Sequence, residues 1–256
     1  MDYQNLLIEI KDQVLTLTIN REEKLNALNK QTLNELYSVL TDTLQNKSVR
    51  GVIITGSGLK AFIAGADIAE FSAFSNDGGR QVASEGHKVF DFIENYEKPI
   101  IAAINGYALG GGLELAMSCH LSIASDTAKM GLPEMKLGLI PGYGGTQRLT
   151  RAVGKNRALE MILTAEMITA EEAFQTGLVN HVVPSGELMN KANEVMQKIL
   201  SGSAVATASA IRAVNATFNR TGLDVEINEF EKCFKSEDFK EGVKAFLEKR
   251  KPAFNQ

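Results

Sequence analysis

Hydrophobic and polar positions alternate along this chain with two different periods. From Leu15 to Ile19 every second residue is apolar, which is typical of a β-strand with one buried face. We predict that this strand pairs with the segment around Ile8 and Ile10. Between residues 29 and 45 the apolar side chains recur every three or four positions, which predicts an amphipathic helix.

Strand and helix patterns continue to alternate as far as residue 124. Short apolar runs predict buried strands, and helical spacing predicts helices between them, in the order strand 52–54, helix 79–96, strand 100–104, helix 110–119 and strand 121–124. This alternation favours an α/β fold with largely parallel strands and right-handed crossovers. After residue 144 the pattern is mainly helical. We therefore predict an α/β core over residues 1–200 and a helical C-terminal region over residues 201–256.

The composition excludes several classes of protein. Of the 256 residues, 44% are hydrophobic and 23% are charged, so a packed core is expected and disorder is not. The formal net charge of −4 lacks the basic excess of nucleic-acid binders, so we expect no nucleic-acid partner. No run of about 18 apolar residues predicts a membrane span. A start without signal-peptide features and two cysteines without a C-x-x-C motif favour a reduced, cytoplasmic setting.

The first of three glycine clusters matches G-x-G-x-x-A, from Gly56 to Ala61. Taken alone, this motif after a strand indicates dinucleotide binding. The next residues do not have the pattern of a well-formed helix, and no clear acidic residue ends a second strand about 20 residues on. A simple turn is therefore the preferred interpretation.

The other two clusters, Gly110–Gly112 and Gly142–Gly145, each precede a predicted helix. Glycines let a ligand atom approach the backbone closely, and a helix N-terminus aims its N–H groups and positive dipole end at the same place. Both clusters are also compatible with plain tight turns.

Two glutamates stand close to these clusters. Glu114 has small or apolar neighbours, so it is either a buried functional carboxylate or a surface residue that complements the helix dipole. Glu134 follows Pro133 at a loop or helix start. Considered locally, Glu134 is better interpreted as a solvated residue paired with Lys136.

The order and spacing of several segments together resemble the crotonase superfamily, and the resemblance covers essentially the whole chain. The segments that carry it are Asn20-Arg21 with Lys24 to Leu28, Lys60 to Ile68, Ile101 to Ala116, Leu132 to Glu134, Leu139 to Leu149, and Glu241 to Arg250. The resemblance implies a spiral of repeated ββα units followed by a helical C-terminal region used in trimerisation. It also implies an acyl-CoA thioester substrate and a homotrimer, or a hexamer made as a dimer of trimers.

By the same resemblance, the backbone N–H groups of Ala66 and Gly111 would form the oxyanion hole. Glu114 and Glu134 match the two glutamates of the family's hydratases, with Glu134 as general acid and Glu114 as the base that activates water. The implied reaction is reversible syn addition of water to a trans-2-enoyl-CoA, giving a 3-hydroxyacyl-CoA in fatty acid or related acyl-CoA degradation.

The resemblance also suggests residues that contact the substrate or its coenzyme A part. These are Lys24, Ala27, Ala64, Asp67, Ile68, Phe230 and Lys249, with the backbone of Gly142 helping to place the water. Coenzyme A belongs to the substrate, so no separate cofactor is expected. His87, His120 and His181 are widely spaced, so we expect no metal. Tyr143 could narrow the acyl pocket.

Other readings of the function stay open at this point. The same fold could catalyse double-bond isomerisation or hydrate branched enoyl-CoAs. A non-catalytic acyl-CoA-binding or RNA-binding protein is an alternative of another class. A hydride-transferring dehydrogenase rests only on the G-x-G-x-x-A motif.

Overall fold

The structure, a computed structural model, describes residues 3–71, 79–218 and 222–254. Within these ranges, ten strands form two sheets. The larger sheet contains β1 (Leu6–Lys11), β2 (Val14–Ile19), β3 (Gly51–Gly56), β5 (Ile100–Ile104), β7 (Leu121–Ser125) and β10 (His181–Val183). The smaller sheet contains β4 (Ala61–Ile63), β6 (Tyr107–Leu109), β8 (Lys129–Gly131) and β9 (Ile168–Thr169).

The larger sheet has the strand order β1-β2-β3-β5-β7-β10. The predicted pairing of β1 with β2 is confirmed, and it is antiparallel, with Ile8 opposite Leu17. The turn between them places Asp12 at φ 49° and Gln13 at φ 64°, the two positive angles that a tight two-residue hairpin requires. All other neighbours in this sheet run parallel, as predicted.

Helices connect the strands. In chain order they are α1 (Lys30–Gln45), α2 (Ile68–Phe71), α3 (Gly79–Glu94), α4 (Gly111–Ser118), α5 (Gly145–Val153), α6 (Lys155–Thr164), α7 (Ala170–Gln175), α8 (Leu188–Leu200), α9 (Ala204–Asn215), α10 (Gly222–Phe234) and α11 (Glu237–Leu247). Helix α1 begins where its sequence predicts, because the Asn29 side chain accepts the N–H of Thr32 and satisfies a free helix amide.

The two sheets are built by a repeated unit. Three times a long strand of the larger sheet leads through a short turn into a short strand of the smaller sheet and then towards a helix: β3-β4-α2, β5-β6-α4, and β7-β8-α5 after an intervening 3-10 turn. Strands β4, β6 and β8 lie side by side in parallel. This is the repeated ββα arrangement that the family resemblance implied.

Side chains on both faces of the central strands are buried. One face, with Val52 and Ile54, packs into the main core with α1, α3 and α4. The opposite face, with Ile53, packs against Ala192 and Met196 of α8. Burial on both sides explains why these strands have unbroken apolar runs and no alternation.

The short strands of the smaller sheet were not predicted, and neither was β10. They contain only two or three residues each, which is too few to establish a period-two pattern. The mainly helical prediction after residue 144 is confirmed by α5 to α11, with β9 and β10 as two short strands that it did not include. Helices α9 to α11 follow α8 as predicted, while the division into units at residue 200 stays a prediction.

Over the residues that the structure describes, each helix is either too short or too polar to cross a membrane.

Candidate active site

Three strand-to-helix connections of the repeated units meet at one place. A β-carbon built on Gly110, which precedes α4, would lie 3.8 Å from the Cα of Gly65, which precedes α2. The same β-carbon would lie 2.6 Å from Oε1 of Glu134, in the 3-10 turn Pro133–Leu137 after β8. The fold therefore brings the segments of the predicted oxyanion hole and of Glu134 into contact.

The backbone around Ala66 is fixed by Leu28. The Leu28 N–H donates to the Gly65 carbonyl at 2.8 Å, and the Asp67 N–H donates to the Leu28 carbonyl at 2.7 Å. In such a parallel bridge the bonds come from the residues on either side, so the Ala66 N–H points away from Leu28. Among the described residues no acceptor takes this N–H.

Gly111 is the first residue of α4, so its N–H is one of the amides that the helix itself leaves unpaired. Gly110 before it has φ 49°, which favours glycine. At Gly112 a β-carbon would overlap the Ile63 carbonyl, so the helix N-terminus packs directly on β4. The positive end of the α4 dipole therefore lies beside the Gly65–Ala66 segment.

Glu114 is buried inside this site, with 2% of its surface exposed. Its Oε1 accepts the N–H of Tyr143 at 2.8 Å and the N–H of Gly145 at 2.7 Å. The alternative of a surface residue that complements the helix dipole is thereby ruled out. A β-carbon on Gly145 would lie 2.8 Å from Oε1, so this close approach depends on glycine.

Burial raises the pKa of Glu114 to about 7. The N–H groups of Gly145 and Tyr143 and the positive charge of Arg148 act in the opposite direction, while the charge of Glu134 raises the pKa further. The two carboxyl groups are thus close enough to influence each other's ionisation.

Glu134 does not behave as the solvated residue that its local sequence suggested. Its Oε2 is buried and has no hydrogen-bond partner among the described residues. Burial raises the pKa of this carboxyl, so its neutral form is favoured. The local interpretation was wrong because the backbone of Gly110, distant in sequence, covers one side of the carboxyl.

Arg148 is a residue of the site whose role the sequence did not reveal. It is 7% exposed, and its guanidinium donates to the Tyr143 carbonyl at 2.9 Å, just behind the amides that bind Glu114. Glu94 and Asp91 of α3 hold it from the other side. The only available sequence signal was an arginine placed directly beside the apolar residue Leu149.

The predicted coenzyme A contacts before α1 and α2 lie on adjacent loops. The Ala64 N–H donates to the Leu25 carbonyl at 3.0 Å, which joins the loop carrying Lys24 and Ala27 to the loop carrying Asp67 and Ile68. Lys24 and Ile68 are exposed.

Asp67 carries an ion pair that the sequence analysis did not anticipate. Its Oδ2 lies 2.9 Å from Nη2 of Arg21, and Nη1 of the same arginine donates to the Ala27 carbonyl at 2.5 Å. The carboxylate therefore joins the two loops to each other, which gives Asp67 a structural role besides any contact with substrate.

The remaining predicted contacts are placed differently. Gly142 is half-buried, and apart from its chain neighbours no described residue comes within 4 Å of the position a β-carbon would occupy. Phe230 lies on α10 with 69% of its surface exposed, and Lys249 lies beyond the end of α11. These two residues belong to the helical C-terminal segment and not to the loops around Glu114.

The turn between β3 and β4 accounts for the G-x-G-x-x-A motif. Nδ2 of Asn105 donates to the carbonyls of Gly56 and Gly58, each at 2.9 Å, and Nδ2 of Asn26 donates to the Ala61 carbonyl at 2.8 Å. The motif leads into a strand and not into the helix that a dinucleotide site needs. The preferred interpretation as a turn is confirmed.

His120 has a structural role. Its Nδ1 accepts the Ile100 N–H at 2.9 Å, and its Nε2 lies 3.1 Å from the Glu94 carbonyl. Burial lowers the pKa of His120 to about 4, so the ring is neutral. Among the described residues, histidine, cysteine and acidic side chains form no group of three or more that could hold a metal ion.

Residues 9–256 match the enoyl-CoA hydratase/isomerase family. The chain belongs to this family. The match extends over most of the sequence, and the fold agrees with it, so the predicted crotonase relationship is confirmed.

Named relatives of the family resemble the chain over its full length. It is 46% identical to a short-chain-enoyl-CoA hydratase from Clostridium acetobutylicum, covering 98% of this chain and 97% of the relative. It is also 46% identical to a crotonyl-CoA hydratase from Syntrophomonas wolfei, covering 99% of both. A crystal structure of an enoyl-CoA hydratase from Bacillus anthracis superposes with a TM-score of 0.92 at 40% identity, covering 98% of this chain and 99% of that one.

Proposed function

We propose that this protein is an enoyl-CoA hydratase, a hydro-lyase that adds water reversibly to trans-2-enoyl-CoA thioesters. The observation that carries the proposal is the pairing of the buried Glu114 with Glu134, whose Oε2 is buried and whose charge raises the pKa of Glu114. Beside them lie two amides that have no acceptor among the described residues. Family membership and the names of the full-length relatives support the same reaction.

The two amides suit the thioester carbonyl. When water adds to C3, negative charge moves onto the thioester oxygen, and the N–H groups of Ala66 and Gly111 would meet that charge. Loss of one such donor in other enzymes costs about 2.7–4 kcal/mol. Neither amide is used by another acceptor in the described part of the chain, which leaves both available for substrate.

The two carboxyls suit opposite proton-transfer roles. Glu114 accepts two backbone N–H bonds, which favour its ionised form, so we assign it as the base that activates water. In the described part of the chain no donor reaches the buried Oε2 of Glu134, which favours the neutral form, so we assign Glu134 as the acid that protonates C2. Because the charges are coupled, ionisation of one carboxyl hinders ionisation of the other.

The loops before α1 and α2 would receive coenzyme A. Lys24 offers an exposed positive charge for phosphate, and Ala27, Ala64 and Ile68 lie on the same two hydrogen-bonded segments. We retain Asp67 among the coenzyme A contacts, because its backbone directly follows that of Ala66. Phe230 and Lys249 would reach coenzyme A only from a neighbouring subunit.

Tyr143 would set the length of the acyl pocket. Its ring lies 3.4 Å from the position of a β-carbon on Gly111, next to the proposed oxyanion hole. The ring fills the space that Gly86 of α3 leaves by having no side chain. It packs edge-to-face against Phe90, with the two ring centroids 5.5 Å apart. We therefore propose a preference for short acyl chains.

We further propose a homotrimer or hexamer in the cytoplasm. Exposed apolar side chains on the C-terminal helices, including Val214 and Ile227, support a subunit contact there. Sedimentation analysis would separate the monomer, trimer and hexamer.

A spectrophotometric assay tests the proposed reaction. Crotonyl-CoA loses its conjugated absorbance on hydration, and we expect turnover without added metal or nicotinamide. A panel of short, long and branched enoyl-CoAs and of 3-enoyl-CoAs separates hydration from isomerisation and branched-chain activity. Tight binding of acyl-CoA or RNA without turnover would instead support the non-catalytic alternative.

A further inference from the structure

The guanidinium of Arg148 is used on two sides at once. Nη1 donates to the Tyr143 carbonyl at 2.9 Å, while Nε and Nη2 donate to Oε2 of Glu94 at 3.0 and 2.7 Å. Nη2 also donates to Oδ1 of Asp91 at 2.8 Å. The side chain therefore connects α3 to the turn that leads into α5, and little of it reaches solvent.

That turn is the part of the chain that holds Glu114. The N–H groups of Tyr143 and Gly145 both donate to Oε1, and Gly144 between them has φ 101°. A β-carbon on Gly144 would overlap Nη1 of Arg148, so the guanidinium packs directly behind the turn. The residue at 143 is thus held at both ends, by the carboxylate on its N–H and by the arginine on its carbonyl.

The arginine also faces Glu114 electrostatically. Its positive charge lowers the pKa of Glu114, in opposition to burial and to the charge of Glu134. Other ionisable groups face Glu114, Arg148 or the turn between them. Glu134, in the turn after β8, and the Tyr143 hydroxyl face Glu114. Cys119, which follows α4, faces Arg148. Asp91 and Glu94 of α3 pair with Arg148, and His87 of α3 lies beside Gly144.

We propose that Arg148 is a positioning residue of the hydration reaction. It holds the 143–145 turn so that the two amides fix one oxygen of Glu114, and its positive charge favours the ionised form of that buried carboxyl. The inference rests on the proposed function, because it assigns Arg148 to the base of that reaction. Glu94 supports this role, because its Oε2 accepts the hydrogen bonds that orient the guanidinium and its negative charge partly neutralises the arginine.

Charge-changing variants separate this role from simple structural support. In Arg148→Gln the positive charge that faces Glu114 is lost, so we expect kcat to fall at least about tenfold and its acidic limb to move to higher pH. In Glu94→Gln the side-chain carbonyl can still accept from Arg148, but a negative charge is lost. The acidic limb should then move down, while KM changes little in both variants.

Two further variants serve as controls. Arg148→Lys keeps the charge but loses the planar fork, so kcat should fall while the acidic limb stays near its wild-type position. Arg151→Gln removes an arginine of the same helix that lies 3.6 Å from Glu94 but is 42% exposed, and it should leave the pH profile unchanged. Circular dichroism and thermal unfolding would establish that each variant is folded.

Opposite shifts in Arg148→Gln and Glu94→Gln would support the proposal. Unchanged limbs, or shifts in the same direction, in folded variants would overturn it. If Arg148→Gln does not fold, the acidic limbs of Glu94→Gln and Arg148→Lys still test the proposal. If the wild-type protein does not hydrate crotonyl-CoA, the proposed function fails. Titration of the Glu114 carboxyl by carbon-13 NMR would then still measure the effect of Arg148 on that group.

Discussion

Gly110 and Glu134 are in direct contact, because Oε1 of the glutamate lies 2.6 Å from the place where a β-carbon on residue 110 would be. The glycine also has φ 49°, an angle at which other residues are strained. The backbone before α4 therefore defines one wall of the space in which the carboxyl lies.

Replacing Gly110 by alanine should displace Glu134. We expect Gly110→Ala to reduce kcat by about 10²-fold or more, because the general acid would no longer reach C2. The rate of crotonyl-CoA hydration measures the loss of catalysis, and the melting temperature measures the loss of stability from backbone strain. Gly177→Ala is the matched control, since Gly177 also has positive φ, at 79°, but its β-carbon position has no atom within 4 Å from any described residue other than its chain neighbours. Equal loss of activity in both variants would show that strain alone is responsible.

Replacing Glu114 by glutamine should stabilise the fold relative to wild type, and this gain should grow as pH rises. Its pKa is raised from 4.5 to about 7, so the folded protein binds this proton more tightly than the unfolded chain does. Stability from this group is fully present below about pH 4.5 and is lost as pH rises through about 7. Glu114→Gln should therefore gain stability over wild type between these values, by at most about 3 kcal/mol.

Urea unfolding at a series of pH values and one protein concentration measures this gain. Glu9→Gln, at an exposed position of β1, is the control and should show no such growth. A stability difference that is independent of pH would contradict the account of Glu114 as a buried carboxyl whose ionisation is costly.

The amide of Ala66 can be removed without changing a side-chain function. Ala66→Pro deletes the N–H, and kcat should fall by about 10²–10³-fold while CoA-ester binding is largely retained. Ala66→Gly keeps the N–H and should stay close to wild type. Hydration rates and binding of a saturated acyl-CoA separate the effects. A fully active proline variant would show that this amide is not part of the oxyanion hole.

The sequence predicted the long elements well, and physical reasons explain why. Strands such as β3 and β5 carry unbroken apolar runs because both of their faces are buried, and helix α1 has a clear cap at Asn29. Strand β6 has only Tyr107–Leu109 and exists because its backbone pairs with β4 and β8. Such pairing depends on residues far apart in the chain, so local patterns could not show it.

The site was predictable only through family resemblance. Considered locally, Glu114 could have been a surface residue and Glu134 was better interpreted as solvated, yet the structure buries Glu114 and the Oε2 atom of Glu134. Their environments come from Gly110, Tyr143 and Gly145, which approach only in the folded chain. The role of Arg148 depends on its contacts with α3 and with the carbonyl of Tyr143. No local sequence pattern contains the contacts with α3.

The central claim is that Glu114 and Glu134 act together on one water. The most direct measurement is kcat for crotonyl-CoA hydration by wild type, Glu114→Gln, Glu134→Gln and the double variant. We predict that each single variant loses about 10²–10⁴-fold, and that the double variant is scarcely slower than the worse single one, because the groups act as a unit. Near wild-type rates in either single variant, or losses that multiply in the double variant, would contradict the claim.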